Sequence, residues 1–343
     1  MTGRKQSYTL WDDLEKFDVE DSGACPSEWK GRKALYLSKM NSAIFLREEV
    51  RYEAYRLHAE VAIPGEVGFV GLVFDAIDSE NYELIYLAPL EIQYDPIMNG
   101  SMTWQIYNGP FYQKPLPNTT GEWRDLTVEV DPEGAKVYFG NSSTEPALVL
   151  SSLQHGGQSG KVGVWSYLPA YIRNFSIEEI HPVPASRSIR ALDTLISETF
   201  ITEWHVSNVF MQDRPLEQHW TPALVEENGV LNINRIHKAE PGATVEVKSV
   251  FMVAEQQETI LTLGFSDSIR LWVNDTEVYQ GNWCWNPPVQ DGRIRPDFAS
   301  VPMQWRKGLN SIRAELSRKE EFGWGLAVKT GLSNMTFIQT GEG

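Results

Sequence analysis

The chain has 343 residues, 42% hydrophobic and 22% charged, a balance that lets a folded protein build a sizeable core. That length leads to an expectation of two domains rather than one. A formal charge of −16 denies it the basic footprint that nucleic acid or an anionic membrane surface requires, so neither is expected as a partner.

The N-terminal run MTGRKQSYTLWDDLEKF has no apolar core of the kind a signal peptide carries. No later segment approaches the roughly 20 apolar residues of a membrane helix. A complete chain is therefore expected in the cytoplasm; one whose leader was trimmed is expected outside the cell. From there to about residue 180 the pattern reads as short strands: Ala34–Leu37, Tyr55–Ile63, Gly68–Asp75, Tyr82–Ala88, Thr103–Asn108, Trp123–Val130, Ala135–Phe139, Lys161–Ser166 and Tyr171–Ile180. Turn residues separate them, and Asp131-Pro132-Glu133-Gly134 predicts a tight hairpin. No segment holds apolar residues at helical spacing for three turns, which predicts an antiparallel sandwich or barrel.

The run His181-Pro182-Val183-Pro184-Ala185-Ser186 reads as an interdomain linker, dividing the chain into residues 1–183 and 184–343. A second β-rich unit follows, with strands expected at Glu203–Val209, Gly229–Asn234, Thr244–Ala254, Glu258–Phe265, Ser268–Val273, Glu277–Tyr279 and Asn310–Leu316. A hairpin is expected to turn at Asn274-Asp275. Gly281 to Gln304 reads as a long insertion holding Trp283, Trp285, Arg293 and Arg295. It either covers a cleft of the first domain or folds back on its own sandwich. Cys25 and Cys284 supply neither a disulfide framework nor a metal-ligand set. The six histidines have no ligand spacing, so no metal and no cofactor is expected, although calcium on carboxylate and carbonyl oxygens would leave little trace.

Tyr55, Leu57, Ala59, Val61 and Ile63 alternate with Arg56, His58, Glu60 and Ala62. A two-residue period puts the first set in a core and lines up a cation, an imidazole and a carboxylate on the opposite face. His58 and Glu60 are thus candidates for acid–base work, with Arg56 beside them. Gln105 and Tyr107 share a face of the expected 103–108 strand, with Tyr107 a stacking platform and Trp104 turned to the core. Trp165 is a further platform, with Gly163 leaving room beside it.

The order of Gly68-Phe69-Val70-Gly71-Leu72, Asn81-Tyr82-Glu83, Gly121-Glu122-Trp123, Gly160-Lys161-Val162-Gly163-Val164 and Ile172-Arg173-Asn174-Phe175 resembles the concanavalin A-like lectin/glucanase superfamily, specifically its 3-keto-disaccharide hydrolase-like domains. In the second half, Gly264-Phe265-Ser266-Asp267-Ser268, Val273-Asn274-Asp275 and Lys307-Gly308-Leu309-Asn310 resemble galactose-binding-like jelly rolls. The resemblance implies an all-β protein of two antiparallel β-sandwich (jelly-roll) domains, with ligand on a concave sheet face of the first. It adds Glu83 and Arg173 to that face. The E-x-D-x-x-E strand of the retaining glucanases is missing, which removes their paired-carboxylate mechanism.

The expected function is therefore carbohydrate-active: binding of a glycoside or oligosaccharide, or its cleavage or elimination by His58, Glu60 and Glu83, with Arg56, Gln105, Tyr107, Trp165 and Arg173 holding the substrate. Two alternatives stand beside it. One is a non-catalytic glycan-binding protein. The other is an isomerase or cyclase using the same cleft for a small non-sugar molecule. Oligomeric state has no signature in the sequence.

Overall fold

The computed structural model describes residues 4–140, 144–156, 160–182, 188–211 and 218–338. The expected linker falls largely on residues 183–187, outside the described residues. The chain forms two compact units: Met1–Gly100 with Gly109–Ile189, and Ser101–Asn108 with Arg190–Gly343. The excursion Ser101–Asn108 thus belongs to the second unit although it lies well inside the first by sequence.

The first unit is a sandwich of two antiparallel sheets. One runs in the order Leu148–Leu150, Gly134–Phe139, Trp123–Asp131, Tyr55–Ala62, Ala170–Glu179, Arg32–Leu37, Ala24–Trp29, with Lys5–Tyr8 also bonded to Ala170–Glu179. The other runs Gln113–Pro115, Glu91–Tyr94, Asn81–Leu87, Val70–Asp78, Lys161–Ser166, Ser42–Leu46, Phe17–Asp18. We call these the first and second sheets. Alternation works as the sequence predicts in the first sheet: Leu57, Ala59 and Val61 are buried, and cross-strand Leu126, Val128 and Ile172 continue the row. In the second sheet Ile44, Leu72, Phe74, Ile85 and Val164 share the inner face.

Local chemistry fixes the turns. Asp131 Oδ1 accepts hydrogen bonds from the backbone N–H of Glu133 (2.8 Å) and Gly134 (3.2 Å), so the predicted hairpin closes with Val130 opposite Ala135. Gly134 is required there, since a Cβ would lie 1.9 Å from the Leu150 carbonyl oxygen. A bulge at Asn174 (φ 54°) shifts the register so that Arg173 faces Glu60 and Ser176 faces His58.

The second unit has a larger sheet of Trp220–Leu224, Glu203–Ser207, Thr244–Val253, Gly308–Ser317, Asp267–Val273 and Thr276–Trp283, with Met335–Phe337 on Thr244–Val253. A smaller sheet orders Leu231–Asn232, Gly325–Lys329, Gln257–Phe265 and Ala299–Trp305. The Asn274-Asp275 hairpin forms with both residues at positive φ (49° and 67°), the conformation of a two-residue hairpin turn that Asn and Asp tolerate.

Two expectations are corrected. Residues 103–108 are a turn rather than a strand: the backbone N–H groups of Ile106 and Tyr107 both donate to the Thr103 carbonyl. The apparent alternation of Trp104, Gln105, Ile106 and Tyr107 arises because this compact turn buries all of them. The 281–304 segment is also more ordered than a loop. Strand Thr276–Trp283 runs on to Trp283, a short hairpin pairs Trp285–Asn286 with Gln290–Asp291, and Ala299–Trp305 forms an edge strand. Pro302 is compatible with that strand because an edge leaves one side of the ladder unbonded.

Leu57 is fully buried in the central strand of the first sheet. Leu57→Ala is expected to cost about 2–5 kcal/mol and to lower the urea midpoint at an unchanged slope. A midpoint shift equivalent to less than about 1 kcal/mol would contradict the core assigned to this strand.

Candidate functional site

The outer row of Tyr55–Ala62 is present, and the sheet itself consumes it. Arg56 donates to Glu129 Oε1 (Nε 2.9 Å, Nη2 2.6 Å) and to Glu178 Oε2 (3.2 Å). His58 Nε2 lies 2.8 Å from Asp125 Oδ1. Glu60 is held by Arg32 (2.5 Å), by the Asn174 amide (2.6 Å) and by Arg173 Nε at 3.6 Å. Glu129, Asp125, Glu178, Arg173 and Asn174 stand on the two adjacent strands and Arg32 one strand further on, so the three residues are engaged in cross-strand hydrogen bonds and ion pairs rather than forming an uncommitted acid–base pair. Above them Trp29, Tyr36, Trp123 and Tyr171 stack edge to face or in parallel, and Arg173 lies over the rings of Trp11 and Trp123.

Three of the sequence-derived candidates are elsewhere. Glu83 faces inward in the second sheet, opposite Phe74, and is fully buried. It does not meet His58 or Glu60, which face outward on the first sheet. Its Oε2 accepts from Tyr94 Oη (2.7 Å) and its Oε1 from the His155 backbone N–H (2.6 Å). Burial pushes its carboxyl up to about 7, and the Asp75 charge adds to this against the pull of hydrogen bonds from Tyr94 and from the His155 and Gln154 backbone. Nearby, Tyr55 Oη donates to Asp75 Oδ1 at 2.5 Å. Gln105 and Tyr107 belong to the second unit and are fully buried, so neither is a platform on the first. Gln105 donates to Glu320 Oε2 (3.1 Å), and the Tyr107 hydroxyl accepts from Arg235 (3.4 Å).

Trp165 does lie on the outer face of the second sheet, in a mosaic of small and large residues. Gly163 and Gly71 lack side chains there, and Phe45, Tyr82, Tyr86 and Trp165 occupy the space around them. Phe45 and Tyr82 meet edge to face at 5.5 Å, and Tyr86 and Trp165 pack at 5.6 Å. The Trp165 ring is itself buried, with its N–H donated to Asn41 Oδ1 at 3.0 Å.

Beside this mosaic is a recess of about 220 Å³. Phe45, Tyr82 and Ile97 give it an apolar wall, and Glu20, Asp21, Ser22, Lys39, Asn41 and Ser79 give it polar rims. Asp21 and Asn41 sit at φ 57° and 48°, left-handed positions these residues accept more readily than most. Among the described residues the side chains of Glu20, Asp21, Lys39 and Ser79 make no hydrogen bond or ion pair with protein, and Asn41 uses only its oxygen. The ion-paired row of the first sheet is the opposite case. Little along the chain signals this recess, because its rims come from turns far apart in the sequence.

In the second unit the aromatic residues of 281–304 fold back on their own sandwich. Trp283 packs on Phe298 at 4.3 Å, Phe298 on Phe265 at 5.7 Å, and the Trp283 N–H donates to the Arg293 carbonyl.

No protein-family model matches the chain, and no curated protein matches it. Solved structures that match part of the chain include a carbohydrate-binding module of Bacillus subtilis, at 16% identity over 52% of this chain and 96% of that one, with a TM-score of 0.34. A galectin-like-fold protein of unknown function from Bacillus subtilis matches at 11% identity over 52% and 97%, TM-score 0.36. The lumenal domain of VIP36, solved with Ca²⁺ and Man3GlcNAc, matches at 11% over 52% and 90%, TM-score 0.36. Similarity at this level assigns neither a ligand nor a reaction.

The buried Glu83 carboxyl makes a pH prediction. Its folded pKa of about 7 exceeds its ordinary 4.5, so the stability it contributes is whole below about 4.5 and is lost as pH rises through about 7. Relative to Glu83→Gln, the natural protein should lose on the order of 3 kcal/mol across that window and no more above it. Urea denaturation at a series of pH values reads this directly; parallel profiles for the two proteins would refute it.

Proposed function

We propose that the first unit binds a carbohydrate at the recess between Phe45, Tyr82 and the Asp21, Asn41 and Ser79 rims, and that it does so without catalysing a reaction. The observation that carries this reading is the pairing of an aromatic wall with polar groups that, among the described residues, have no protein partner (the side chains of Glu20, Asp21, Lys39 and Ser79) or only one (Asn41, through its oxygen). A pyranose presents the complement: an apolar face for a ring, and hydroxyls that both donate and accept. The recess is smaller than the roughly 300–1,000 Å³ of drug-sized sites, so a single ring or a chain end fits it better than a long oligosaccharide.

Binding is favoured over cleavage because the proposed acid–base residues are not assembled. His58 and Glu60 are spent in cross-strand pairs, and Glu83 is sealed in the sandwich interior. The mostly polar rims also argue against an isomerase or cyclase, whose apolar substrate would need a desolvated cavity.

A glycan array followed by calorimetric titration of the best ligand tests the proposal. Phe45→Ala and Asn41→Ala should each weaken binding about tenfold or more, while Arg56→Gln, on the other sheet, leaves it unchanged. Loss of a stacking ring is worth about 1 kcal/mol or more, which sets that scale. Failure of the natural protein to retain any glycan, or full affinity in both recess variants, would overturn it.

A further inference from the structure

A second site, independent of the recess, lies in the second unit where three neighbouring strands end. Strand Asp267–Val273 is bonded on one side to Gly308–Ser317 and on the other to Thr276–Trp283, with Ser268 opposite Ser317 and Asp267 opposite Trp283. That register gathers Asp267 itself, Cys284 (the residue after one partner strand) and Glu320 (three residues past the other). One ligand atom from each, a carboxylate oxygen from the acids and the cysteine Sγ, lies within 4.8 Å of the other two.

Asp267 is the informative member. It is fully buried and held at φ 64° at the start of its strand. Its Oδ2 accepts from the backbone N–H groups of Lys319 (2.7 Å) and Glu320 (3.3 Å), which fixes the carboxylate. Its Oδ1 is buried and has no hydrogen-bond partner. Leaving such an oxygen unsatisfied costs about 1–3 kcal/mol or more, so a buried lone pair of this kind needs an occupant.

The neighbouring cations do not supply one. The Lys319 ammonium bonds Asn282 Oδ1 at 2.6 Å, and the Arg318 guanidinium bonds the Ala239 and Glu320 carbonyls and Ser101 Oγ. Neither Asp267 nor Glu320 forms an ion pair with Lys or Arg among the described residues. Glu320 is oriented by the Trp285 backbone N–H (2.8 and 3.0 Å) and by the Gln105 amide (3.1 Å), a supporting shell of the kind metal ligands require.

We propose that Asp267, Cys284 and Glu320 form a zinc site that ties the ends of these three strands together. One thiolate and two carboxylates are a zinc-type donor set, whereas calcium and magnesium take oxygen alone. Zinc bonds of about 2.3 Å to sulfur and 2.0–2.2 Å to oxygen are reached if each ligand moves inward by about 1 Å or less. Three protein ligands leave a fourth position for water.

Chelator-stripped full-length protein, titrated with Zn²⁺ by calorimetry and with Co²⁺ by absorption, tests the site. We expect one ion per chain and a near-ultraviolet thiolate-to-cobalt band that disappears in C284S and persists in C25S. C284S and D267N should each weaken zinc at least tenfold. In the natural protein, which avoids any folding defect of a variant, Zn²⁺ should slow alkylation of Cys284 and leave the exposed Cys25 unaffected. Absence of a thiolate band, unchanged zinc affinity in C284S, a band that depends on Cys25, or binding of Ca²⁺ in place of Zn²⁺ would each overturn the proposal.

Discussion

Burial of the inner rows between the two sheets of the first unit is the constraint on which its other features depend. Leu57, Ala59 and Val61 from the one sheet and Leu72, Ile85 and Val164 from the other are removed from water almost completely. Each leucine, isoleucine or valine among them is worth about 1.5–3 kcal/mol, so register on the central strands is set far more firmly by this layer than by anything outside it. Once the inner faces are fixed, the outer faces follow by alternation. Arg56, His58 and Glu60 must face outward, and so must Gly163 and Trp165 on the second sheet. The chemistry available to the unit is what those outward positions carry.

The two outer faces have resolved that situation differently. On the first sheet the row Arg56, His58 and Glu60 meets partners of opposite charge or hydrogen-bonding complement on other strands, and the bulge at Asn174 is what brings Arg173 to Glu60. Half-exposed pairs of this type contribute little stability each, but they neutralise the row and engage its donors and acceptors. On the second sheet the turns beside the Phe45–Tyr82 wall leave several polar side chains without protein partners among the described residues. A ligand competes there with water alone, instead of with a guanidinium already in place. This difference in prior commitment, more than residue type, separates a structural polar face from a binding one.

Buried acids mark a further division of labour. Glu83 and Asp267 have both been taken out of water and both have carboxyls raised to about 7. Glu83 has a donor on each oxygen and lies within a sandwich interior, which makes it a structural acid. Asp267 has donors on one oxygen only, at the converging ends of three strands. A raised pKa by itself therefore does not distinguish these two acids; the count of satisfied lone pairs does.

Much of the architecture was legible in the chain. Period-two alternation marks Tyr55–Ile63 with its inward face, Trp123–Val130 and Thr244–Ala254 also read as strands, and the Asp131–Gly134 and Asn274–Asp275 turns announced their hairpins through residues that tolerate only a few backbone conformations. Short or edge strands such as Gln113–Pro115 and Leu148–Leu150 were not legible, since three residues hold no measurable period. Trp104–Tyr107 misled for the same reason. The site was legible only in part: Trp165 was placed on an outer face, whereas Glu83 turned inward and Gln105 and Tyr107 joined the other unit. Alternation says that two residues share a face; it does not say which face is wet, or what stands on the next strand. By itself, then, the sequence determined the all-β class, the principal strands and their turns, because those rest on contacts between near neighbours. Only tertiary structure decided that Arg56, His58 and Glu60 are paired off, that the Phe45–Tyr82 recess has unclaimed rims, and that Asp267, Cys284 and Glu320 meet. Those outcomes depend on strand order and register, which bring together residues that are distant along the chain.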